Sequence, residues 1–452
     1  MANEIFNYLV YPSVVPSGKE SRVTIESVCG TFGFYDDVVY DIVIVPKEES
    51  DVPKDAVMSL DGWDNNRMVY HIRPENGKLK ITHRFDGEQE WAIRISSSNY
   101  ETHLNPMYEK NSPHWDSLIH RPEAGVAVSV YSLAPDLYAR RAKKGDFHIH
   151  TTVSDGSETP ERTAANYRKE GYDVIAMTEH NAFNSSAEVC KKLSFMENYE
   201  LICGEEVHNG YLGHLHIVNI GSNYSVNEIY LKEPERVAHE VSELSEKTRV
   251  PDDVDSKEYL YRLWTYNEIK KSGGYAIYPH PYWGVKDHYH VETSMSKAVM
   301  KNGLCDAFEL LGGCTPAENN LQLALYYEMV AQGHKLPVVA SSDSHSSMPG
   351  SPHFGQIYTI VFDKDDVIRS VDNGYSVAVE ALHGESVRVY GQLRLVKYAH
   401  FLIKNYFSRR APLCAASGLF VERYLLGEDD KSMIIAVEDR IAKFTERFFC
   451  GD

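Results

Sequence analysis

The sequence predicts an α/β barrel, preceded by an all-β sandwich-like domain and followed by C-terminal helices. Three observations predict it: short alternating segments up to about residue 135, strand-like and helix-like segments in alternation from Gly145 to Ala381, and helical periodicity from Leu393 onward. A chain of 452 residues is too long for one ordinary domain. We place the units at 1–140, 141–390 and 391–452.

In the first unit Arg22–Val28, Val38–Val45, Met68–Arg73, Leu79–His83, Trp91–Ser96 and Val126–Tyr131 are rich in β-branched and aromatic residues. Turn signals separate them at Asp61-Gly62, Glu75-Asn76-Gly77 and Asp86-Gly87. Six or more strands so spaced suggest an antiparallel sandwich. Such a domain could bind a glycan, make a homo-oligomer contact or cap the barrel, and a structural or interaction role is favoured. The polar, basic stretch from Leu133 to Lys144 marks the boundary.

In the second unit the expected strands are Asp146–Thr151, Asp173–Thr178, Glu200–Val207, His214–Ile220, Tyr275–Pro279, Ala307–Leu311, Pro337–Ser341, Ile357–Phe362 and Ser376–Ala381. Helices are expected at Pro160–Glu170, Ser185–Met196, Glu258–Ser272, Ser294–Lys301, Pro316–Gln332 and Asp365–Asn373. This alternation suits a mostly parallel sheet closed into a barrel. Charged Glu233–Tyr259 reads as an insertion or lid, its charges more simply a solvated helix face. Beyond it, Leu393–Phe407 and Lys431–Phe449 are helices that pack on the barrel or on another subunit.

The balance of 46 basic against 65 acidic residues, net −19, argues against a duplex nucleic-acid surface, which needs clustered Lys and Arg. Seven scattered cysteines without a Cys-x-x-Cys pair argue against a disulfide framework. No run reaches membrane-spanning length and the N-terminus lacks a basic, then apolar, leader, so no membrane partner and a cytoplasmic location are expected.

The chemistry starts at Gly145-Asp-Phe-His-Ile-His-Thr-Thr-Val-Ser-Asp-Gly156. Strand side chains alternate, so His148 and His150 share a face roughly 6.5 Å apart at Cα and can converge on one ion. Asp155 reaches the same rim if the chain turns into the helix that Thr159-Pro160-Glu161 announces. Further His, Asp and Glu residues then recur at expected strand ends: Thr178-Glu179-His180, Glu205-Glu206, His214-Leu-His216, His280-Pro281 and Asp343-Ser-His345. Taken singly, each reads as a cap, a turn or a polar strand end. Together, at the carboxyl ends where a parallel barrel carries its chemistry, they read as a metal site.

In order and spacing, His148-x-His150 with Ser154-Asp155-Gly156, Thr178-Glu179-His180-Asn181, Gly204-Glu-Glu206, His280-Pro281 and Asp343-Ser-His345 resemble the PHP (polymerase and histidinol phosphatase) domain, over about Gly145 to Ala381. The resemblance implies a distorted seven-stranded (β/α) barrel holding two or three divalent ions. His148, His150, Glu206 and Asp343 would hold one; Glu206 would bridge to a second bound by His216 or His280; Asp155, His180 and His345 would serve a third. Glu179 replaces a common Asp and is left off the ligand set. Of the adjacent pair Glu205 and Glu206, alternation lets only one face the ions, and Glu206 is chosen. His216 is chosen over His214, with His208 a weaker substitute.

Mixed imidazole and carboxylate ligands suit Mn, Zn or Fe. Such ions lower the pKa of bound water from 15.7 to about 7 and support in-line displacement at phosphorus. Hydrolysis of a small phosphorylated substrate is therefore expected, with His280 or His345 assisting proton transfer. Arg162, Lys286 and Arg388 are candidate phosphate contacts. Alternatives are a metal-dependent amidohydrolase, or a metal-containing binding protein whose sandwich recognises a ligand.

Overall fold

The computed structural model describes residues 8–28, 34–48, 69–97, 126–209, 212 and 214–451. The Asp61-Gly62 turn, Met68 and Cys29 lie outside them, and Cys190, Cys203, Cys305, Cys314 and Cys414 are free. Two compact units emerge: residues 1–139 with 400–409 and 442–452, and residues 140–399 with 410–441.

The first unit holds eight described strands, β1 (Tyr8–Tyr11), β2 (Val14–Pro16), β3 (Glu20–Ser27), β4 (Tyr40–Pro46), β5 (Val69–Ile72), β6 (Lys78–Arg84), β7 (Gln89–Ser97) and β8 (Val126–Leu133). They form a sheet ordered β1-β3-β6 and a second ordered β2-β8-β7-β4-β5. Alternate residues point into one core, Val23, Ile25, Leu79 and Ile81 from the first sheet and Ile42, Ile44, Trp91, Ile93, Ile95, Val128 and Val130 from the second. That period-two burial is what the β-branched segments predict. The pairing is antiparallel except at β2 with β8, which is parallel. Helical residues complete this unit: Phe448 O accepts from Ser13 N at 2.7 Å, and Arg447 pairs with Glu26 at 2.8 Å.

The second unit carries β9 (Arg141–Ile149), β10 (Val174–Met177), β11 (Glu200–Ile202), β12 (Gly204–His208), β13 (His216–Ile220), β14 (Tyr275–Tyr278), the hairpin strands β15 (Gly284–Val285) and β16 (His288–Tyr289), β17 (Ala307–Leu311), β18 (Val338–Ala340), β19 (Ile357–Asp363), β20 (Ser376–Glu380) and β21 (Arg388–Tyr390). One curled sheet runs β11-β10-β9-β19-β20-β21, another β12-β13-β14-β17-β18. They share a core, Phe147, Val174 and Val361 from the first with Val218, Ile277 and Val339 from the second. The sheets meet at a bridge between His180 and Glu206, and again where Thr359 Oγ1 bonds both Ala340 N and Ala340 O at 2.9 and 2.7 Å.

Two expectations are corrected. The sheets are mixed, not mostly parallel: β9–β10, β10–β11, β14–β17 and β17–β18 are parallel, whereas β12–β13, β13–β14, β9–β19, β19–β20 and β20–β21 are antiparallel. The β12–β13 link is too short for a crossover, so those strands can pair only antiparallel. The described ladders accordingly do not trace a single seven-stranded (β/α) barrel. The expected strand Glu200–Val207 is also two strands, β11 and β12, in different sheets.

Helices sit where their caps announce them. Thr159 caps Pro160–Lys169, and Thr315 with Glu318 forms a reciprocal capping box ahead of Pro316–Ala331. The charged insertion is a packed helix, Pro234–Lys247, with Val237 and Val241 buried among Leu260 and Trp264. Arg236 pairs there with Glu233 and Glu240 at 3.0 and 2.9 Å, the solvated face that its charges suggest. From Leu393 the helix runs to Leu425 with a π turn at Ile403–Phe407, and a last helix spans Ser432–Cys450. Inside the second unit buried Arg168 grips Glu438 at 2.7 and 2.8 Å, and Arg410 grips Asp173 at 2.7 Å. Among the described residues no helix is long and apolar enough to cross a membrane.

Candidate metal centre

β9 delivers His148 within the strand and His150 one residue past its end, on the face opposite Phe147 and Ile149. Asp146 fixes that end, its Oδ1 accepting from Ser342 N at 3.0 Å and from His148 N at 3.3 Å. The segment after β18 is thereby held beside β9, which places Asp343 opposite both histidines. His148 Nε2 lies 3.1 Å from Glu206 Oε2 and 3.3 Å from Asp343 Oδ1; His150 Nε2 lies 3.3 and 3.1 Å from the same two atoms. Donors about 2.1 Å from a common ion stand about 3.0 Å apart at a right angle and about 3.4 Å at a tetrahedral one. All four separations match that range.

Glu206 is 1% exposed and turns its oxygens to different partners. Oε2 faces His148, His150 and, at 3.3 Å, His180 Nδ1. Oε1 faces His216 Nδ1 at 2.7 Å and His280 Nε2 at 3.2 Å. Asp155 and His345 stand at the rim, with Asp155 Oδ1 3.6 Å from His150 Nδ1 and Asp155 Oδ2 3.4 Å from His345 Nε2. All nine residues predicted from sequence thus converge, in overlapping groups that also admit His290: His148, His150, Glu206 and Asp343; His150, Asp155, His180 and His345; and His216, His280 and His290.

The close alternatives point elsewhere. Glu205 accepts from Ser225 Oγ and Val226 N at 2.6 Å, capping the helix Val226–Lys232. His214 pairs with Glu258 at 3.1 Å. Glu179 accepts from Thr151 and Ser154, holding the turn that carries Asp155. His208 bonds the far nitrogen of His216 at 2.8 Å. Of the expected phosphate contacts, Arg388 is held by Glu380 and Glu385, Arg162 lies 3.7 Å from Glu422, and Lys286 sits in the β15–β16 turn.

The electrostatics of the site favour a cation. Burial disfavours a proton on His150, yet Asp343 and Glu206 outweigh it and push its pKa up to about 9. The same contest, against Asp343 and Glu206, lifts His148 well above its ordinary value, and Glu206 lifts His280. Burial dominates at His180 and His290, pushing them down to about 4 and about 2, so both are neutral imidazoles at pH 7. His148 Nε2, His150 Nε2, His180 Nδ1, His280 Nδ1 and Asp343 Oδ1 are buried without a hydrogen-bond partner. Buried polar atoms are rarely left so, and a divalent ion among these donors would satisfy them.

Two groups escape the sequence reading. Glu309, 0% exposed on β17, sets Oε2 3.1 Å from His148 Nδ1. Its signal is a carboxylate inside the apolar run Ala307-Phe-Glu-Leu-Leu311. His290 follows the hairpin and belongs to no strand-end pattern. The backbone supports the site at a cost, since His280 and Asp343 adopt positive φ of 25° and 47°. Next to them Gly312 and Gly313 leave room: a Cβ on Gly312 would collide with Glu309 Oε1, and one on Gly313 would lie 2.7 Å from Asp343 Cβ.

No family model matches the chain. An uncharacterized protein of Methanocaldococcus jannaschii is 26% identical over 150 residues, 31% of this chain and 68% of that protein. A two-domain protein of Bacteroides vulgatus containing a predicted PHP-like metal-dependent phosphoesterase aligns over 54% of this chain and 67% of its own, at 21% identity and TM-score 0.38. An amidohydrolase of Chromobacterium violaceum, with bound sulfate and no metal, aligns over 54% of this chain and 99% of its own, at 15% identity and TM-score 0.32.

Proposed function

We propose that the chain is a metal-dependent hydrolase cleaving phosphate esters of a small metabolite or nucleotide. The observation that carries this reading is Glu206, a buried carboxylate with one oxygen toward His148, His150 and His180 and the other toward His216 and His280, the posture of a ligand shared between two cations. On this reading His148, His150, Glu206 and Asp343 would hold one divalent ion, Glu206, His216 and His280 a second, and Asp155, His180 and His345 a third, the metal being Mn, Zn or Fe. Bound ions supply Lewis-acid polarisation and acidified water, and a pair of them suits in-line displacement at phosphorus.

The protein's own groups do the rest. Glu309 orients His148 through Nδ1 and so aims Nε2 at the carboxylates. Of the two expected proton carriers, His280 is 2% exposed and faces Glu206, a binding posture. His345 is exposed at the rim beside Asp155, where a leaving-group oxygen can receive a proton from it.

The test is elemental analysis of the purified full chain, with phosphate release from monoesters and diesters measured with and without added manganese, and amides and lactones as controls. Two or more ions per chain with metal-stimulated phosphate release is the expected result. Turnover of amides or lactones alone would replace the reading with an amidohydrolase, and a chain that binds no ion would overturn it.

A further inference from the structure

His290 has no counterpart in the strand-end pattern, yet the structure seats it in the site. The β15–β16 hairpin puts it there: Trp283 N donates to His280 O at 3.1 Å, His290 N to Trp283 O at 2.8 Å and Val291 N to Pro281 O at 2.9 Å. His280 and His290 thus flank the base of one hairpin, their rings 5.2 Å apart, and the His290 ring is 4.5 Å from that of His216. One ligand nitrogen from each of the three falls within 4.8 Å of the others.

His290 is only 7% exposed, and neither of its ring nitrogens has a hydrogen-bond partner; nor has His280 Nδ1 beside it. A neutral imidazole carries one donor and one acceptor, and burying both unmet is unfavourable. A histidine kept for packing alone would be better replaced by an apolar ring. One nitrogen of His290 lies among nitrogens of His216 and His280, which is the environment of a cation ligand.

We propose that His290 is an ion ligand, forming with His216 and His280 an imidazole-rich position that prefers a borderline cation such as Zn²⁺ or Co²⁺ to Mg²⁺. The inference rests on the reading of the site as metal-binding, and adds a residue and a selectivity to it. Three imidazoles suit borderline cations, whereas Mg²⁺ favours oxygen ligands.

The experiment strips the full-length protein of metal and titrates it with Co²⁺, Zn²⁺ and Mg²⁺. It follows ions bound per chain, the visible Co²⁺ spectrum and the melting temperature, in wild type, His290→Gln and His290→Phe. The variants are expected to bind one Co²⁺ or Zn²⁺ fewer, or to bind it about tenfold or more weakly, with a smaller metal-induced rise in melting temperature. Their metal-free melting temperature should not fall, because no hydrogen bond is lost. Unchanged titrations in the variants, with wild type still binding ions and turning over substrate, would overturn this inference alone. A lowered metal-free melting temperature in both variants would make His290 structural. Tight Mg²⁺ binding lost with His290 would overturn the selectivity, and a wild-type chain that binds no ion would bring down this inference and the hydrolase reading together.

Discussion

In the β-sandwich unit the buried indole of Trp91 donates to Ser132 Oγ at 2.8 Å, and charges pair near the surface, as Lys78 does with Glu26 and Lys47 with Glu90. In the α/β unit His148, His150, His280 and His290 are buried, each with at least one ring nitrogen that makes no hydrogen bond. Among the described residues every buried side-chain atom without a hydrogen bond in the structure belongs to the α/β unit. Half of these atoms gather at the candidate metal centre, on His148, His150, His180, His280, His290, Glu309 and Asp343, and the rest are scattered through the α/β unit. Local rules broken together in this way point to a working site, because a bound ligand would remove the cost.

That contrast can be broken most forcefully at Glu206 and Ile93. If the proposed function holds, Glu206→Gln should reduce metal-dependent hydrolysis roughly a thousandfold or more, since acidified water would depend on ions that this carboxylate would help to hold. Ile93→Ala, deep in the sandwich core, should cost about 2–5 kcal/mol in denaturant unfolding with metal content unchanged. If Ile93→Ala removed metal, or Glu206→Gln left it in place with full turnover, the division of labour would fail.

A smaller effect tests buried charge within the α/β unit. Burial pushes the Lys144 ammonium down to about 8, although its Nζ donates to Glu170 O at 3.0 Å and lies over the rings of Tyr172 and Tyr358. Between about pH 8 and 10.5 the unfolded chain keeps this proton and the folded chain releases it, so folding gains stability as pH rises. Wild type should therefore gain about 2–3 kcal/mol relative to Lys144→Met across that window, read from paired denaturation curves. A flat difference would mean that the ammonium is as well accommodated as one in water. Smallest is Glu309→Gln, expected to weaken metal affinity or turnover about 10- to 100-fold without unfolding the protein. No change would return Glu309 to the ordinary buried polar groups.

Much of this was legible in the sequence, for physical reasons. Period-two alternation located the main sandwich strands, and pairs such as His148 and His150 were visible because a strand puts i and i+2 on one face. Alternation also showed that only one of Glu205 and Glu206 can face the site, and the structure gives the oxygens of Glu205 to Ser225 and Val226. Pairing direction was not legible, because it depends on which strands meet in space; nothing local shows that Cys203 separates β11 from β12, in different sheets. Strands β1 and β2 were missed because Pro12, Ser13 and Pro16 interrupt any run long enough to show a period. Glu309 and His290 were missed because their meaning lies in contacts with His148, His216 and His280, far away in sequence.

The pair Gly312-Gly313 has a consequence for how this chain can change over generations. Neither residue offers a functional group, yet a methyl at the first would strike Glu309 Oε1, and at the second would lie 2.6 Å from Ser342 O, beside Asp343. Neutral drift is closed to both positions for as long as the chemistry beside them is needed. In a lineage that abandoned the chemistry, Gly312 would be free to vary along with Glu309 and the histidines, whereas the backbone oxygen of Ser342 would still close Gly313.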